Sequence, residues 1–233
     1  MDSSSLMNGD NKAHKRGALI VIEGLDRAGK TTQCATLLQG LQDRGHNVKF
    51  IRFPDRSTPT GKLIDSYLRG NTHQDDHAIH LLFSANRWEA AGQIREDISK
   101  GITVIVDRYS YSGAVYSAAK NLDNLSLQWA WQPEIGLPRP DIWCFLNISQ
   151  EEAAKRGGYG LERYENADLQ QRVANLYLSF LGMNGNEEMR VIDASRSKDD
   201  VAKEVLEYAL NCIANVDAIG PLRTLGPLPF ASS

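Results

Sequence analysis

The chain has 233 residues, of which 26 are basic and 29 are acidic, and its formal net charge is −3. Because no overall positive field results, the composition argues against a protein that binds nucleic acid or a membrane surface through its total charge. The length suffices for one α/β domain with a substantial core, and three widely spaced cysteines without a Cys-x-x-Cys pair predict reduced, structural thiols.

The most specific motif is a phosphate-binding loop, Gly24-Leu-Asp-Arg-Ala-Gly-Lys-Thr31. It follows a short β-branched apolar run at residues 18–23 and precedes an apolar periodicity of i, i+3, i+4 and i+7. In such loops the backbone N–H groups close around phosphate oxygens, Lys30 reaches the β and γ phosphates, and the Thr31 hydroxyl ligates Mg²⁺. The sequence therefore predicts a polyphosphate nucleotide site between a strand and a helix.

Four further strands are predicted along the chain, at residues 48–53, 103–106, 142–146 and 190–192. Helical patterns separate them, and this alternation predicts a five-stranded parallel, doubly wound sheet with helices on both faces. About fifty residues separate the second strand from the third, which is more than a crossover needs. We therefore predict that residues 54–100 are a helical, substrate-binding insertion.

A second helical excursion is predicted after the fourth strand. Ser149 and Glu152 have capping-box spacing, and Gly157-Gly158-Tyr159-Gly160 interrupts the helix. We expect residues 149–168 to be a lid that hinges at these glycines. On closure it would bring a set of basic side chains onto the phosphates: Lys155, Arg156 and Arg163.

Both ends of the chain lack periodic patterns. Residues 1–15 are polar, and residues 216–233 are rich in Pro and Gly, so both tails are predicted to be poorly ordered. One folded domain remains, at residues 16–215. The first fifteen residues have neither a hydrophobic signal core nor the composition of a transit peptide. We expect a cytoplasmic protein, with the nucleus as a further location; an organellar form would need an N-terminal extension that this sequence lacks.

Charged side chains follow the second and third strands at their carboxyl ends, where doubly wound sheets bind ligands. Asp107 is a candidate for the Mg²⁺ site, and Arg108 beside it is suited to bidentate contact with a phosphate. Arg56 is a candidate phosphate clamp, against the equal alternative of a surface arginine in a loop.

Phe83 and Arg87 lie four residues apart on one face of a predicted helix. A ring that stacks beside a guanidinium that reaches an exocyclic oxygen would suit a nucleobase. Spacing alone favours a core Phe beside a solvated Arg. The nearby His73, His77 and His80 are interpreted as part of a helix start and not as a metal site, because no Glu or Cys completes a recognised ligand set.

Together the motifs resemble those of the eukaryotic thymidylate kinases, which are P-loop nucleoside monophosphate kinases with a P-loop NTPase fold. The resemblance covers residues 16–197. Besides the phosphate loop, it rests on motifs that occur in the family's order: Arg52-Phe-Pro-Asp-Arg-Ser57, Leu81-Leu-Phe-Ser-Ala-Asn-Arg-Trp88, Asp107-Arg-Tyr109, Gly136-Leu-Pro-Arg-Pro-Asp141, Glu162-Arg-Tyr-Glu165 and Asp193-Ala-Ser195. Asp55 departs from the Glu expected in close relatives.

The resemblance implies ATP-dependent phosphorylation of dTMP to dTDP in dTTP biosynthesis, by a homodimer that uses Mg²⁺ with ATP. The insertion at residues 54–100 would then bind the monophosphate. The implied catalytic residues are Arg27, Lys30, Asp107 and Arg108, and the metal would lie near Thr31 and Asp107. The residues implied to bind ATP are Gly24, Asp26, Arg27, Ala28, Gly29, Lys30, Thr31, Thr32 and Arg156. Those implied to bind dTMP are Asp26, Phe53, Arg56, Phe83, Arg87, Arg108, Ser112, Tyr116 and Tyr164.

Individual roles also follow from the resemblance. Asp26 would hold the deoxyribose 3′-hydroxyl, and Arg27 would assist transfer from within the phosphate loop. Phe83 would stack on the thymine, and Arg87 would bond its carbonyl oxygen. The lid would add two further contacts, with Tyr164 on the sugar, where it disfavours a 2′-hydroxyl, and Arg156 on the adenine.

Two alternatives remain open from the residues alone. A deoxynucleoside kinase would share the phosphate loop but must deprotonate a 5′-hydroxyl, and Asp55 could be its base. A nucleotide-switched binding module would catalyse no transfer. It would require a guanine-reading motif, and Ser197-Lys-Asp-Asp200 resembles one only faintly because a Ser followed by acids is an ordinary helix start.

Overall fold

The computed structural model describes residues 15–156, 163–164, 166–183 and 188–228. Within this part of the chain, five strands form one parallel sheet in the order β2-β3-β1-β4-β5. The strands are β1 (Leu19–Gly24), β2 (Val48–Arg52), β3 (Thr103–Asp107), β4 (Ile142–Asn147) and β5 (Met189–Asp193). The predicted five-stranded parallel sheet is therefore confirmed, and no strand bound differs from the prediction by more than one residue.

The three central strands are the most apolar, because helices cover both faces of the sheet. Every residue of β1 and β3 is buried, whereas the edge strand β2 is partly exposed. Parallel pairing sets Ile22 beside Asp107 and Gly24 beside Leu146. The phosphate loop after β1 and the carboxylate that ends β3 therefore meet at the same edge of the sheet.

The helices of the described residues surround this sheet. They are α1 (Lys30–Gln42), α2 (Pro59–Leu68), α3 (Asp76–Ser99), α4 (Ser110–Ala118), α5 (Leu127–Trp131), α6 (Gln150–Lys155), α7 (Ala167–Ser179) and α8 (Lys198–Ile219). One-turn 3₁₀ segments lie at Gln132–Glu134 and Phe180–Gly182. None of the helices in the described ranges combines the length and apolarity that crossing a bilayer demands.

The predicted insertion and lid region contains helices with side-chain caps. In the insertion, α2 and α3 begin after Thr58 and Asp75, whose side chains accept hydrogen bonds from the first turns. At the lid, Ser149 Oγ accepts from the Glu152 N–H at 3.2 Å, as the capping-box spacing predicts. The glycine hinge at residues 157–160 lies outside the described residues, so the lid motion stays a prediction.

The C-terminal region differs from the predicted poorly ordered tail. Residues 216–219 continue α8, and residues 220–228, here called the strap, pack along the segment that follows Glu134. Leu225 is buried, accepts from the Gly136 N–H and donates to the Leu137 carbonyl, both at 2.8 Å. The prediction was wrong for residues 216–219, which extend a helix, and for the strap, whose bonds join distant segments and leave no local periodicity. Residues 1–14 and 229–233 lie outside the described residues.

Candidate active site

A cavity of about 580 Å³ opens at the carboxyl edge of the sheet. It brings together most of the side chains that the sequence predicts as ligand contacts: Asp26, Arg27, Gly29, Lys30, Thr31, Thr32, Phe53, Arg56, Phe83, Arg87, Arg108, Ser112, Tyr116, Arg156 and Tyr164. Three predicted residues, Gly24, Ala28 and Asp107, are buried and do not line it. The cavity has a loop end, next to the phosphate loop, and an α3 end, which Phe83 and Arg87 line.

The phosphate loop needs its glycines for backbone reasons. Gly29 has a φ of 92°, in the left-handed region that favours glycine, immediately before α1 begins. A Cβ at Gly24 would lie 2.8 Å from the Leu146 carbonyl oxygen, so the strand-to-loop turn also requires a glycine there. The loop thus places the first backbone N–H groups of α1 at the cavity, where a helix N-terminus attracts anions.

Lys30 is a buried cation at the loop end. Its Nζ donates to the Leu25 carbonyl at 2.5 Å. Burial, and then the nearby Arg108, lower the pKa of Lys30 to about 8, although Asp26 and Asp107 oppose the shift. At neutral pH the side chain therefore remains mostly charged, and a phosphate oxygen could replace the backbone carbonyl as its partner.

Thr31 and Asp107 form a hard-oxygen pair beside Lys30. Thr31 Oγ1 donates to Asp107 Oδ2 at 2.6 Å, and Asp107 is buried. Arg52 Nε lies 3.7 Å from the same carboxylate oxygen, and Arg52 also lines the cavity. Hydroxyl and carboxylate oxygens are donors of the type that Mg²⁺ binds.

Asp26 and Arg108 are joined by an ion pair across the loop end. Asp26 Oδ2 also accepts from Gln170 Nε2 at 2.7 Å and from the Tyr116 hydroxyl at 3.3 Å. Burial alone would raise the pKa of Asp26, but Arg108 and Lys30 outweigh it and lower that pKa. Asp26 is therefore a carboxylate, and its hydrogen-bonding partners hold it in place.

Ser112 is oriented by a buried carboxylate that sequence reasoning missed. Glu23 is fully buried and accepts from the Tyr109 and Ser112 N–H groups at 2.9 and 3.0 Å, and from the Tyr177 hydroxyl at 2.8 Å. Ser112 Oγ donates to Glu23 and lies 3.3 Å from Arg108 Nη1. Glu23 thus holds the start of α4 at the end of β1, which places Ser112 beside Arg108.

Arg87 at the α3 end is not a solvated arginine. The residue is 2% exposed, and its guanidinium makes a bidentate pair with the fully buried Glu134, from Nε at 2.7 Å and from Nη2 at 2.6 Å. Phe53 and Phe83 also line the cavity. The arrangement combines aromatic surface with a fixed N–H donor and can recognise a flat polar ring.

Arg56 and Asp55 are neighbours in the loop after β2, but only Arg56 lines the cavity. Arg56 lines the cavity and pairs with Asp65 at 2.5 Å. Asp55 is exposed, does not line the cavity, and accepts through Oδ1 from the Ser57 N–H and hydroxyl at 2.9 and 2.6 Å. Asp55 therefore closes a turn and does not face the place where a substrate hydroxyl would lie.

Two predicted lid residues reach the cavity. Arg156 donates to the Arg27 carbonyl at 3.2 Å and to the Ala194 carbonyl at 2.5 Å, so it lies across the phosphate loop. Tyr164 packs near Tyr116, with ring centroids 5.7 Å apart. Both side chains line the cavity, and the contacts that the resemblance implies for them remain predictions.

Sequence reasoning missed Glu23, Glu134 and Gln170. Gln170 interrupts the apolar face of α7. A polar residue at such a position is buried and needs a hydrogen-bonding partner, so Gln170 could have been found from the sequence. Glu134 carries no comparable signal in its own short segment. The structure gives the histidines near α3 packing roles: His80 Nδ1 lies 2.7 Å from Ser117 Oγ, and His77 Nε2 lies 3.1 Å from the Asn124 carbonyl.

Comparisons with known proteins identify the family of the chain. A family model for thymidylate kinase matches residues 22–205. A thymidylate kinase of Arabidopsis thaliana is 46% identical over 228 residues, which cover 97% of this chain and 84% of that relative. A human thymidylate kinase is 46% identical over 193 residues, which cover 83% and 90%. A solved thymidylate kinase of Candida albicans superposes with a TM-score of 0.76 at 39% identity, over 93% of this chain and 99% of that one. The chain therefore belongs to the thymidylate kinase family.

Proposed function

We propose that this enzyme transfers the γ-phosphoryl group of ATP to dTMP and forms dTDP and ADP, as a step of dTTP synthesis. The observation that carries the proposal is the continuity of one cavity, which holds Lys30 and Arg108 at its loop end and Arg87 with Phe83 at its α3 end. Membership of the thymidylate kinase family supports the same reaction.

The chemical difficulty is to bring two anions together. The second pKa of a phosphate monoester is about 6, so dTMP is already a nucleophile at neutral pH and needs no general base. A phosphate oxygen of dTMP forms the new bond to the γ phosphorus of ATP. The bond between that phosphorus and the β,γ-bridging oxygen breaks, and ADP leaves with the electron pair of the broken bond. Lys30, Arg27, Arg56 and Arg108 would neutralise the phosphates and stabilise the charge that spreads over the equatorial oxygens.

Asp26 and its partners would orient the acceptor. The carboxylate accepts from Gln170 and pairs with Arg108, so its position is fixed before substrate binds. A sugar hydroxyl is a donor that could add to this acceptor, whereas Arg108 could share its remaining N–H groups with the monophosphate. The pair would thereby link the sugar position to the phosphate position.

Mg²⁺ fits the oxygens that Thr31 and Asp107 present side by side. We propose that these two residues hold the ion that accompanies ATP. Bound there, it would neutralise part of the charge of the phosphates. Removal of divalent ions with EDTA should abolish turnover, and Mg²⁺ should restore it.

A nucleotide panel tests the function directly. With ATP and Mg²⁺, dTMP should be converted to dTDP, and thymidine should react far more slowly. The position of Asp55, which caps a turn outside the cavity, argues against the alternative of a deoxynucleoside kinase. Faster product formation from thymidine would overturn the proposal. ATP-dependent formation of dTDP would itself exclude a switch module without transfer activity.

We also propose that the enzyme is a homodimer that pairs through α3. Leu81, Ala85, Trp88 and Gly92 are exposed at i, i+4, i+7 and i+11 and form one stripe of apolar and small residues along this helix. Leu81 and Trp88 are 48% and 41% exposed. A stripe of this kind favours packing against the same stripe of a second copy.

Light scattering with size exclusion tests the dimer. Leu81→Glu combined with Ala85→Glu should shift the mass to that of a monomer. Leu122→Glu, at another exposed leucine, is the matched control and should leave the mass unchanged. A monomeric parent chain would overturn the proposal.

For localisation we propose the cytoplasm, with the nucleus as a further site. The support is that Cys34, Cys144 and Cys212 are free and buried, as a reducing compartment maintains them. Fluorescence imaging of the tagged protein tests this, and an organellar signal would contradict it.

A further inference from the structure

The structure assigns Glu134 as a positioning residue for base recognition, one that acts through Arg87. This inference rests on the proposed function, since it takes the α3 end of the cavity as the place of the thymine. Glu134 is 0% exposed and does not line the cavity. Any effect on a ligand must therefore pass through the side chain that it holds.

The pair fixes which nitrogen of Arg87 is presented. Glu134 Oε2 accepts from Nε and Oε1 accepts from Nη2, so both carboxylate oxygens engage one edge of the guanidinium. Nη1 is the nitrogen outside this pair. A bidentate pair allows little rotation of the guanidinium, so the direction of the Nη1 donor is set before a ligand arrives.

Gly113 fixes the guanidinium from the side of α4. A Cβ at this position would lie 2.4 Å from Nη2, 2.9 Å from Cζ and 3.0 Å from Nη1 of Arg87. The guanidinium therefore lies directly against the Gly113 backbone. Carboxylate and glycine together restrict both its rotation and its translation.

The helix that carries Arg87 also holds the segment that carries Glu134. Ser84 Oγ and Trp88 Nε1 donate to the Pro133 carbonyl at 3.0 and 2.7 Å, and Arg95 Nη2 donates to the Gly136 carbonyl at 2.7 Å. These bonds lie on both sides of Glu134. On its other side the segment is hydrogen-bonded to the strap through Gly136. The distance between Glu134 and Arg87 is thus maintained by α3 itself.

Charge explains why a carboxylate is needed there. A lone buried arginine at the α3 end would attract the monophosphate of dTMP and compete with Arg108 and Lys30 for it. Paired with Glu134, Arg87 keeps an N–H donor while the charge of the site is cancelled. A neutral carbonyl oxygen is then a suitable partner, and a phosphate is not. Glu134 would therefore set both the position of the base and the direction in which dTMP enters.

The test compares two acceptors that differ along one edge of the base. Glu134→Gln should raise the KM for dTMP about tenfold, because the donor is no longer held, while kcat and the KM for ATP stay within about twofold. With 5-methyl-dCMP, which carries an amino group in place of the C4 carbonyl oxygen and lacks the hydrogen on N3, the KM should change little. The preference for dTMP over 5-methyl-dCMP should therefore fall. Glu134→Asp retains the carboxylate charge and should recover part of this preference.

The same substitution in an Arg87→Ala background separates a positioning role from a general loss of stability. If Glu134 acts through Arg87, Glu134→Gln should add no further loss of dTMP affinity to Arg87→Ala. Glu188→Gln is the matched control, because Glu188 is another buried carboxylate held by two arginines, Arg139 and Arg223, away from this cavity. It should lower the melting temperature without changing the KM for dTMP.

Three results would overturn the inference: an unchanged KM for dTMP in Glu134→Gln, equal changes for the two acceptors, or additive losses with Arg87→Ala. If Glu134→Gln does not fold, the folded Glu134→Asp variant must show a selective rise in the KM for dTMP, smaller than the one expected for Glu134→Gln. Calorimetric titration of dTMP into each variant accompanies the kinetics. A parent enzyme that binds dTMP without turnover would refute the proposed function alone, and the titrations would still decide the role of Glu134.

Discussion

The two ends of the cavity solve different problems with the same kind of ion pair. At the α3 end, Arg87 and Glu134 are buried, with side chains 3% and 0% exposed, and the pair is fixed by surrounding backbone. At the loop end, the side chains of Arg108 and Asp26 are 17% and 18% exposed, and Lys30 bonds only a carbonyl oxygen among the described residues. The α3 end is preorganised for a neutral ring. The loop end keeps its cations in contacts that phosphate oxygens can replace.

The largest expected effect lies at the loop end. Lys30→Ala should reduce kcat by about a thousandfold or more, because the ammonium stabilises charge that develops during transfer. Steady-state kinetics at saturating ATP and dTMP measure this. Lys62→Ala, at an exposed lysine of α2, is the control and should retain full turnover. Near-normal turnover of Lys30→Ala would show that the loop end does not work as described.

At the α3 end, by contrast, removal of one partner should damage the fold. Arg87→Ala leaves Glu134 buried without its cation and should lower the free energy of unfolding by about 3 to 5 kcal/mol. It should also weaken dTMP binding by about 1 to 3 kcal/mol. Urea denaturation and calorimetry measure the two effects. Arg87→Met with Glu134→Leu should recover much of the stability but not the binding, and a loss below 1 kcal/mol in Arg87→Ala would contradict a buried pair.

Acid should lower the stability of the fold through His80 of α3. Burial, and then the charge of Arg87, lower the pKa of His80 to about 4, while Glu134 opposes the shift. Because the unfolded value is about 6.5, the unfolded chain binds the proton first, and stability falls as the pH drops from 6.5 to 4, by on the order of 3 kcal/mol.

Denaturation curves across this pH range test the histidine. His80→Phe keeps most of the ring volume and should flatten the decline, even though Ser117 loses a partner and the variant is less stable at pH 7. An equal slope in the parent and in His80→Phe would assign the acid sensitivity elsewhere.

Alkaline pH should weaken ATP binding at the loop end, and this is the smallest of the expected effects. Because the pKa of Lys30 is about 8, its charge is lost as the pH rises through that value. The affinity for ATP should then fall by up to about tenfold per pH unit above it. At pH 8, ATP binding should also take up protons, which calorimetry in two buffers of different ionisation enthalpy detects. An ATP affinity that is constant from pH 7 to 9 would contradict this.

Much of the loop end could be predicted from the sequence. The phosphate loop is contiguous, so one motif contains its glycines, Lys30 and Thr31, and the flanking strand and helix show clear periods. The caps at Ser149 and Ser197 were equally local, and both hydroxyls accept from the N–H three residues on. Asp107 and Arg108 were found because they follow a strand directly, at the edge where parallel sheets bind ligands.

The α3 end depended on the tertiary structure. The spacing of Phe83 and Arg87 favoured a solvated arginine. Only the resemblance to thymidylate kinases implied that Arg87 contacts the base. Only the fold brings Glu134, 47 residues further along the chain, against it. Gln170 meets Asp26 across 144 residues, and the strap meets the segment after Glu134 in the same way.

The division follows from the range of the forces. Helix periods, caps and glycine turns depend on neighbours within about four residues, so the sequence by itself determined the phosphate loop, the five strands and the class of ligand. The partner of a buried charge depends on which segments the sheet order β2-β3-β1-β4-β5 brings together. A buried arginine must find a carboxylate there, and only the packed structure decided that this partner is Glu134.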